Sequence, residues 1–283
     1  MKDLTAAIIG AGRLGGALAK GLQKADIKVK YIGDISSESA EKLAAEIGAG
    51  ISAPPFKEAP SASLIFLTVP DGELASLSKM LSEADTVWQG KHVFHCSGAL
   101  ASDILSALKM KGAIIASFHP LQTFPQNAGP ERFTSVYFAI EGEEYDLGAN
   151  IAARLGGIPF RLTAESKTLY HAAACMASNY LVALAGASRE MLGAAGLPSE
   201  VDWRILIPLM LGTIESLSEY GIEEGLTGPV VRGDTAIVKQ HLEQLKAIPE
   251  SGRLYRELGK YLLKLAKLQE DKRLEMREAF EDC

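Results

Sequence analysis

The chain has 283 residues, enough for one large domain or two, with 47% hydrophobic and 23% charged residues. That balance excludes a disordered or fibrous protein, because there is ample apolar surface to offset the entropy of ordering the chain. A net charge of −6 argues against nucleic acid as the main partner, since phosphate neutralisation needs a basic surface. Three scattered cysteines, Cys96, Cys175 and Cys283, make neither a disulfide framework nor a zinc site, and no metal site is expected.

In chain order, Leu4–Ile9 reads as a strand, Leu14–Ala25 as a helix and Ile27–Ile32 as a second strand, followed by a helix from Ser39 to Ile47. After a proline-rich loop come short strands at Leu64–Val69, His92–His95 and Ala113–Ser117, with a helix at Ser102–Lys109. Val136–Ile140 and Pro159–Leu162 flank a helix at Asp146–Leu155. Strands separated by helices indicate an α/β fold, a doubly wound and mostly parallel Rossmann-type sheet. Beyond Thr163 only helices are expected, over Glu165–Leu192, Val201–Tyr220, Thr235–Leu245 and Arg253–Met276. The chain therefore divides into an α/β domain, 1–163, and an all-α domain, 164–283. The opening residues lack a signal peptide's apolar core, and the uncharged run Leu169–Ser188 is alanine-rich and carries His171 and Asn179. Both point to a soluble, cytoplasmic protein with no membrane partner.

Gly10-Ala11-Gly12-Arg13-Leu14-Gly15 is a GxGxxG loop between the first strand and the first helix. Gly10 makes the tight turn, Gly12 lets a pyrophosphate approach the backbone, and Gly15 lets helix pack on strand. The backbone at Arg13 and Leu14 then opens a helix whose unpaired N–H groups face the phosphates. Asp34 ends the second strand, about 20 residues on, where a carboxylate receives the ribose hydroxyls of NAD and repels the extra phosphate of NADP. The alternative for Asp34 is a helix cap. Ser36 could hold a 2′-phosphate, so the cofactor is NAD or NADP, with NAD favoured.

Ligands of such sheets bind at the carboxyl ends of the strands. Val69 and Pro70 there line the cofactor. Ser97 and Gly98 are placed to grip a substrate carboxylate or carbonyl, or else are ordinary turn residues. His119, fixed by Pro120, binds or protonates substrate, or is structural. Cys96 is a small buried hydrophobe. Lys167 and His171 share a helix face, with Ser178 continuing the stripe and Asn179 one step round. They either satisfy one another or face a substrate cleft. A lysine suits a carbonyl reductase, because its ammonium stabilises a developing alkoxide and donates the proton. Arg232 either pairs with a substrate carboxylate or with Asp234, which then caps the next helix.

Together these strings resemble a known group. His95-Cys96-Ser97-Gly98-Ala99, Ser117-Phe118-His119-Pro120-Leu121-Gln122-Thr123-Phe124, Lys167…Tyr170-His171-Ala172-Ala173…Ser178-Asn179-Tyr180 and Thr227-Gly228-Pro229-Val230-Val231-Arg232-Gly233-Asp234 join the glycine loop. The whole chain is similar to a bacterial family of two-domain oxidoreductase-like proteins whose C-terminal domain long lacked an assigned function. That family is related to the 3-hydroxyacid dehydrogenase, ketopantoate reductase and pyrroline-5-carboxylate reductase group. The resemblance implies a Rossmann domain, a helical domain that dimerises, and an NAD(P)-linked reductase of a small anionic 2-oxo acid, ketopantoate-like in some members. Lys167 matches the group's lysine, whereas His171 stands where an asparagine is usual. Ile35 stands where many relatives carry an arginine, in keeping with NAD. Two other readings are a non-catalytic dinucleotide sensor or scaffold, and an imine reductase of the pyrroline-5-carboxylate type.

Overall fold

The computed structural model describes residues 4–197 and 202–281. Val201, the expected start of one helix, and Cys283 lie outside the described residues. The chain forms two compact units, residues 1–178 and 179–283.

In the first unit, β1 (Thr5–Ile9), α1 (Arg13–Lys24), β2 (Lys28–Gly33) and α2 (Ser37–Ile47) follow in order. Next come the two-residue β3 (Gly50–Ile51), β4 (Leu64–Leu67) and α3 (Leu74–Glu83). They are followed by β5 (His92–His95), a 3-10 turn at Ser102–Leu105, α4 (Ser106–Lys109) and β6 (Ile114–Pro120). The unit closes with β7 (Tyr137–Gly142), α5 (Tyr145–Arg154), β8 (Ile158–Arg161) and α6 (Lys167–Ala177). The eight strands lie in the order β3-β2-β1-β4-β5-β6-β7-β8. Neighbours run parallel except β6 and β7, which are antiparallel. The Rossmann-type, mostly parallel sheet read from the sequence is therefore present.

Alternation along the strands makes the two faces of the sheet. Ile8, Phe66, Phe94, Phe118, Phe138 and Ile140 meet α1, α2 and α5 on one face. Ile9, Leu67 and Val93 meet Leu77 of α3 and Leu108 of α4 on the other. Phe66, Phe94, Phe118 and Phe138 form a ladder across β4 to β7, with successive ring centroids 5.2, 5.9 and 4.8 Å apart. It packs the middle of the sheet, across four adjacent strands.

Three sequence expectations change in the first unit and at its boundary. Strand β6 runs on through His119 to Pro120, because β7 continues the ladder opposite it, with His119 facing Ala139. The single helix expected at Glu165–Leu192 is two, α6 and α7 (Asn179–Ala194), broken at Ser178, whose φ of −111° and ψ of −69° leave the helical path. The boundary between the units consequently falls between Ser178 and Asn179 rather than at Thr163, since α6 packs with the sheet.

In the second unit, α8 (Ile207–Glu224) is kinked at Gly221 (φ +81°). α9 (Pro229–Arg232), α10 (Thr235–Leu245), α11 (Pro249–Leu265) and α12 (Glu270–Glu281) follow. Val230, Val238, Leu242, Leu263, Met276 and Phe280 make its core. The helix expected over Arg253–Met276 is interrupted at Ala266, which turns to an extended conformation at the end of α11.

Candidate active site

The nucleotide end is built by β1, β2 and β4. Gly10 has φ +112°, and a Cβ there would lie 2.7 Å from the Thr68 backbone, so only glycine makes this turn. A Cβ on Gly15 would lie 1.8 Å from the Gly10 carbonyl oxygen, which fixes how closely α1 meets β1. Gly12 faces open space, and the first turn of α1, at Arg13 and Leu14, has no side-chain cap. Its N–H groups are the orphan donors that a pyrophosphate satisfies. A cavity of about 230 Å³ beside the loop is walled by Ile35, Phe56, Val69, Pro70 and Met80, with Asp34 also on its lining. Apolar walls of that size suit a flat base, and the carboxylate suits its ribose.

Asp34 does more than face the cavity. Its carboxylate accepts from the Ala11 N–H at 2.6 Å and from the Ser36 N–H at 2.8 Å, which ties the glycine loop to the end of β2. The cap of α2 is Ser36 instead, whose hydroxyl accepts from the Ser39 N–H at 3.2 Å. Ile35, between them, is 92% exposed.

The second cluster sits where β5 and β6 end. Lys167, the first residue of α6, is 1% exposed. Its ammonium donates to the Ser97 carbonyl at 3.0 Å and to the Ser117 hydroxyl, which itself donates to the same carbonyl at 3.3 Å. These contacts use two of its three N–H donors. Burial lowers the lysine to about 8, against the opposing pull of Glu141, Cys96 and Asp71. His119 is driven down to about 4, first by burial and then by Lys167 and His171, so its imidazole is neutral at pH 7. Its Nδ1 lies 2.9 Å from the Tyr170 hydroxyl, one helical turn from Lys167. His95 is lowered to about 3, by burial and by Lys167, and its Nδ1 accepts from the Ser97 N–H at 3.2 Å. Burial raises Cys96 to about 12, so it is a thiol and no nucleophile.

His171 completes the cluster. Its Nε2 is 3.6 Å from the Cys175 sulfur, and its Nδ1 is buried with no partner. A Cβ placed on Gly98 would lie 2.6 Å from that Nδ1 and 2.8 Å from His119 Nε2. Gly98 is thus the notch into which both imidazoles converge.

Lys167, His171, His119, Ser97 and Gly98 are therefore brought together. The Ser97 hydroxyl is committed to its own turn, accepting from the Ala99 N–H at 3.2 Å and the Leu100 N–H at 3.0 Å. What Ser97 presents to the cluster is its carbonyl. Asn179 and Arg232 belong to the second unit. There Arg232 Nε donates to Asp234 at 2.8 Å, and Asp234 makes no side-chain cap on α10. Ser117, Tyr170 and His95 escaped assignment from sequence. Their signal was spacing: Ser117 shares a strand face with His119, and Tyr170 lies three residues after Lys167. Among the described residues no group of three or more His, Cys, Asp or Glu is arranged to hold a metal.

A model of the Rossmann-like domain matches residues 1–120, and one of a domain of unknown function, DUF2520, matches residues 136–262. No functionally curated protein matches. Among solved structures, protein TM1727 from Thermotoga maritima is 30% identical, covering 93% of this chain and 98% of its own, with a TM-score of 0.71. An NADP oxidoreductase assigned in Bacteroides fragilis, BF3122, is 24% identical over 92% of this chain and 97% of its own, at 0.75. A reductive aminase from Aspergillus terreus, solved with NADPH and ethyl levulinate, is 16% identical over 92% and 95%, at 0.64. The chain belongs to the family of the Thermotoga protein, and it joins a Rossmann-like domain to a DUF2520 domain.

Replacing Gly98 with Ala drives a methyl into two ring nitrogens, so His119 and His171 must shift. The G98A variant should lose about 1–3 kcal/mol of stability, read by urea unfolding, while its affinity for dinucleotide stays unchanged. Unaltered histidine ring resonances in NMR spectra of this variant would show that the notch is not what holds the imidazoles.

Proposed function

We propose that the chain is an NAD(P)-dependent oxidoreductase that reduces the carbonyl of a small anionic 2-oxo acid, ketopantoate or a relative. The observation that carries the reading is the buried Lys167 ammonium, held over the Ser97 carbonyl between neutral imidazoles. The uncapped first turn of α1 holds the pyrophosphate, Asp34 the ribose, and Val69 and Pro70 flank the rest of the dinucleotide. When bound, the nicotinamide supplies or accepts hydride. Lys167 gives the substrate oxygen its proton from the remaining N–H, and its charge stabilises the developing alkoxide. Ser97 and Ser117 aim that ammonium, and Tyr170 holds the His119 ring. His171, His119 and Gly98 bound the substrate position.

An imine reductase is the second reading, favoured by the fold shared with the Aspergillus reductive aminase. An imine enters already protonated and needs the cation less. A non-catalytic sensor would bind dinucleotide and turn nothing over.

The Lys167→Met variant should keep dinucleotide binding and lose at least about 100-fold in kcat against a panel of ketopantoate, other 2-oxo acids and cyclic imines. In the wild type the proton donor is the ammonium, present below about 8 and lost above it. Carbonyl reduction should therefore fall about tenfold per pH unit on the alkaline side. Full activity in the variant would refute the assignment. Turnover of cyclic imines alone would favour the second reading, and dinucleotide binding without turnover of any panel member the sensor.

NAD is the favoured dinucleotide, since Asp34 sets a negative charge where a 2′-phosphate would sit. NADH should raise Tm more than NADPH at equal concentration, and Asp34→Asn should narrow the gap. A larger shift with NADPH in the wild type would reverse this preference.

The protein is a homodimer in this reading, with cytoplasmic residence and no nucleic acid or membrane partner. Among the described residues one helical stretch, Trp203–Arg232, is long and apolar enough to cross a membrane. It carries Glu215, Glu219, Glu223 and Glu224 and the kink at Gly221, which suit a protein partner better than lipid. Val182 of α7 is 71% exposed and Leu209 of α8 is 68% exposed, part of more apolar surface than a monomer usually leaves in water. Light scattering after size exclusion should give twice the chain mass, and Leu209→Glu with Val182→Glu should split it. A monomeric wild type would sink the dimer.

A further inference from the structure

One buried ionisable group in the first unit has no part in the chemistry above. Glu141 of β7 is 7% exposed, yet no ion pair to it is found among the described residues. Its carboxylate accepts from the Ser102 N–H at 2.7 Å and the Ser102 hydroxyl at 2.9 Å. A neutral glutamine would satisfy Ser102 equally well, accepting from the N–H and donating to the hydroxyl. The capping contact therefore does not explain why a charge is kept in the interior, where it is costly unless another charge offsets it.

Register supplies the other charge. His95 pairs with Ser117 across β5 and β6, and Ser117 pairs with Glu141 across β6 and β7. Residues directly opposite one another share a face of the sheet. His95, Ser117 and Glu141 thus form one buried row on the face away from the phenylalanine ladder, and Ser117 carries the Lys167 ammonium. The other groups facing that ammonium do not balance it. His95, from β5, and His119, from β6, are neutral imidazoles at pH 7. Cys96 is a protonated thiol. Tyr170, on the lysine's own helix, is raised to about 12 by burial and is neutral too. His171, also on α6, carries no negative charge in either protonation state. Asp71 is exposed, and water screens it.

We propose that Glu141 is the counter-charge of Lys167, a positioning residue that acts through the β6–β7 ladder without touching the ammonium. It rests on the preceding reading only for its consequence in turnover. The pairing keeps α6 seated on the sheet and keeps the lysine a proton donor at neutral pH, against the cost of burying it. Ser102 holds the carboxylate at that post, and Gly142, with φ +113°, lets the chain turn away immediately after it.

The test is NMR titration of the Lys167 side chain in the full-length protein labelled with ¹³C-lysine, the resonance assigned by its loss in Lys167→Met. Wild type should titrate at about 8. In Glu141→Gln the midpoint should drop by about one pH unit or more. In Ser102→Ala, which keeps the charge and removes one bond to it, the midpoint should stay with wild type. An unmoved midpoint in folded Glu141→Gln overturns the proposal. If Glu141→Gln does not fold, the double variant with Lys167→Met decides. Recovery of folding supports an uncompensated cation as the fault, and failure of both shows that the cation is not the fault and overturns the proposal. The titration needs no turnover, so an inactive protein would count against the proposed function and leave this inference standing. Where turnover is found, the alkaline limb of its pH profile should move down with the lysine.

Discussion

An ammonium group with almost no access to water, sitting on a backbone carbonyl, organises the first unit of this protein. A lysine buried in this way must find acceptors for its donors or lose its proton. Lys167 finds them in the Ser97 carbonyl, just past the end of β5, and in the Ser117 hydroxyl, midway along the neighbouring β6. Because those acceptors follow β5 and lie in β6, the helix that begins at Lys167 is bound to the sheet by its first residue. Tyr170, one turn later, repeats the attachment through His119. The polar cluster and the position of α6 are then a single fact, and moving either would strand buried polar groups.

That cluster is tolerable because the sheet separates its faces. Strand residues alternate, so β4, β5, β6 and β7 give their phenylalanines to one side. β5, β6 and β7 give His95, Ser117 and Glu141 to the other. The aromatic ladder supplies the apolar burial, and the polar row has almost none of it to supply. A sheet held by the ladder keeps strand register, and register decides which polar side chains stand opposite one another. A slip of one residue in β7 would turn Ile140 toward Ser117 and Glu141 into the phenylalanines.

Much of this was legible in the sequence, and the failures share a cause. β5 was read at its true limits and α10 likewise, because both are short periodic runs with clear ends. The glycine loop and Asp34 were legible because the chemistry of a tight turn is local. What depends on partners distant in sequence was not. The extension of β6 through His119 needs β7 beside it, and the role of Ser117 needs Lys167, fifty residues on. Helix α3 followed Pro70 and Gly72, residues that read as the end of a strand and a loop. The break at Ser178 falls in an alanine-rich stretch with no proline or glycine to mark it, so one long helix was expected and the unit boundary was misplaced with it. Ser97 shows the same limit at atomic scale. Its position is legible, but that its hydroxyl closes its own turn and its carbonyl faces the lysine depends on a helix seventy residues away.

Local donors also reconcile an acidic protein with an anionic ligand. The chain carries a net charge of −6, and at the glycine loop it even adds Asp34. That carboxylate is bound to the N–H groups of Ala11 and Ser36, so its first effect is to hold the loop in the shape that aims the remaining N–H groups outward. Phosphate recognition as proposed for this loop depends on oriented backbone dipoles, whose pull is fixed by geometry and falls off within a turn of helix. At the other cluster one buried ammonium is likewise held by local acceptors, the Ser97 carbonyl and the Ser117 hydroxyl. Neither end requires a basic surface, which is why the overall charge carried so little information about the ligand.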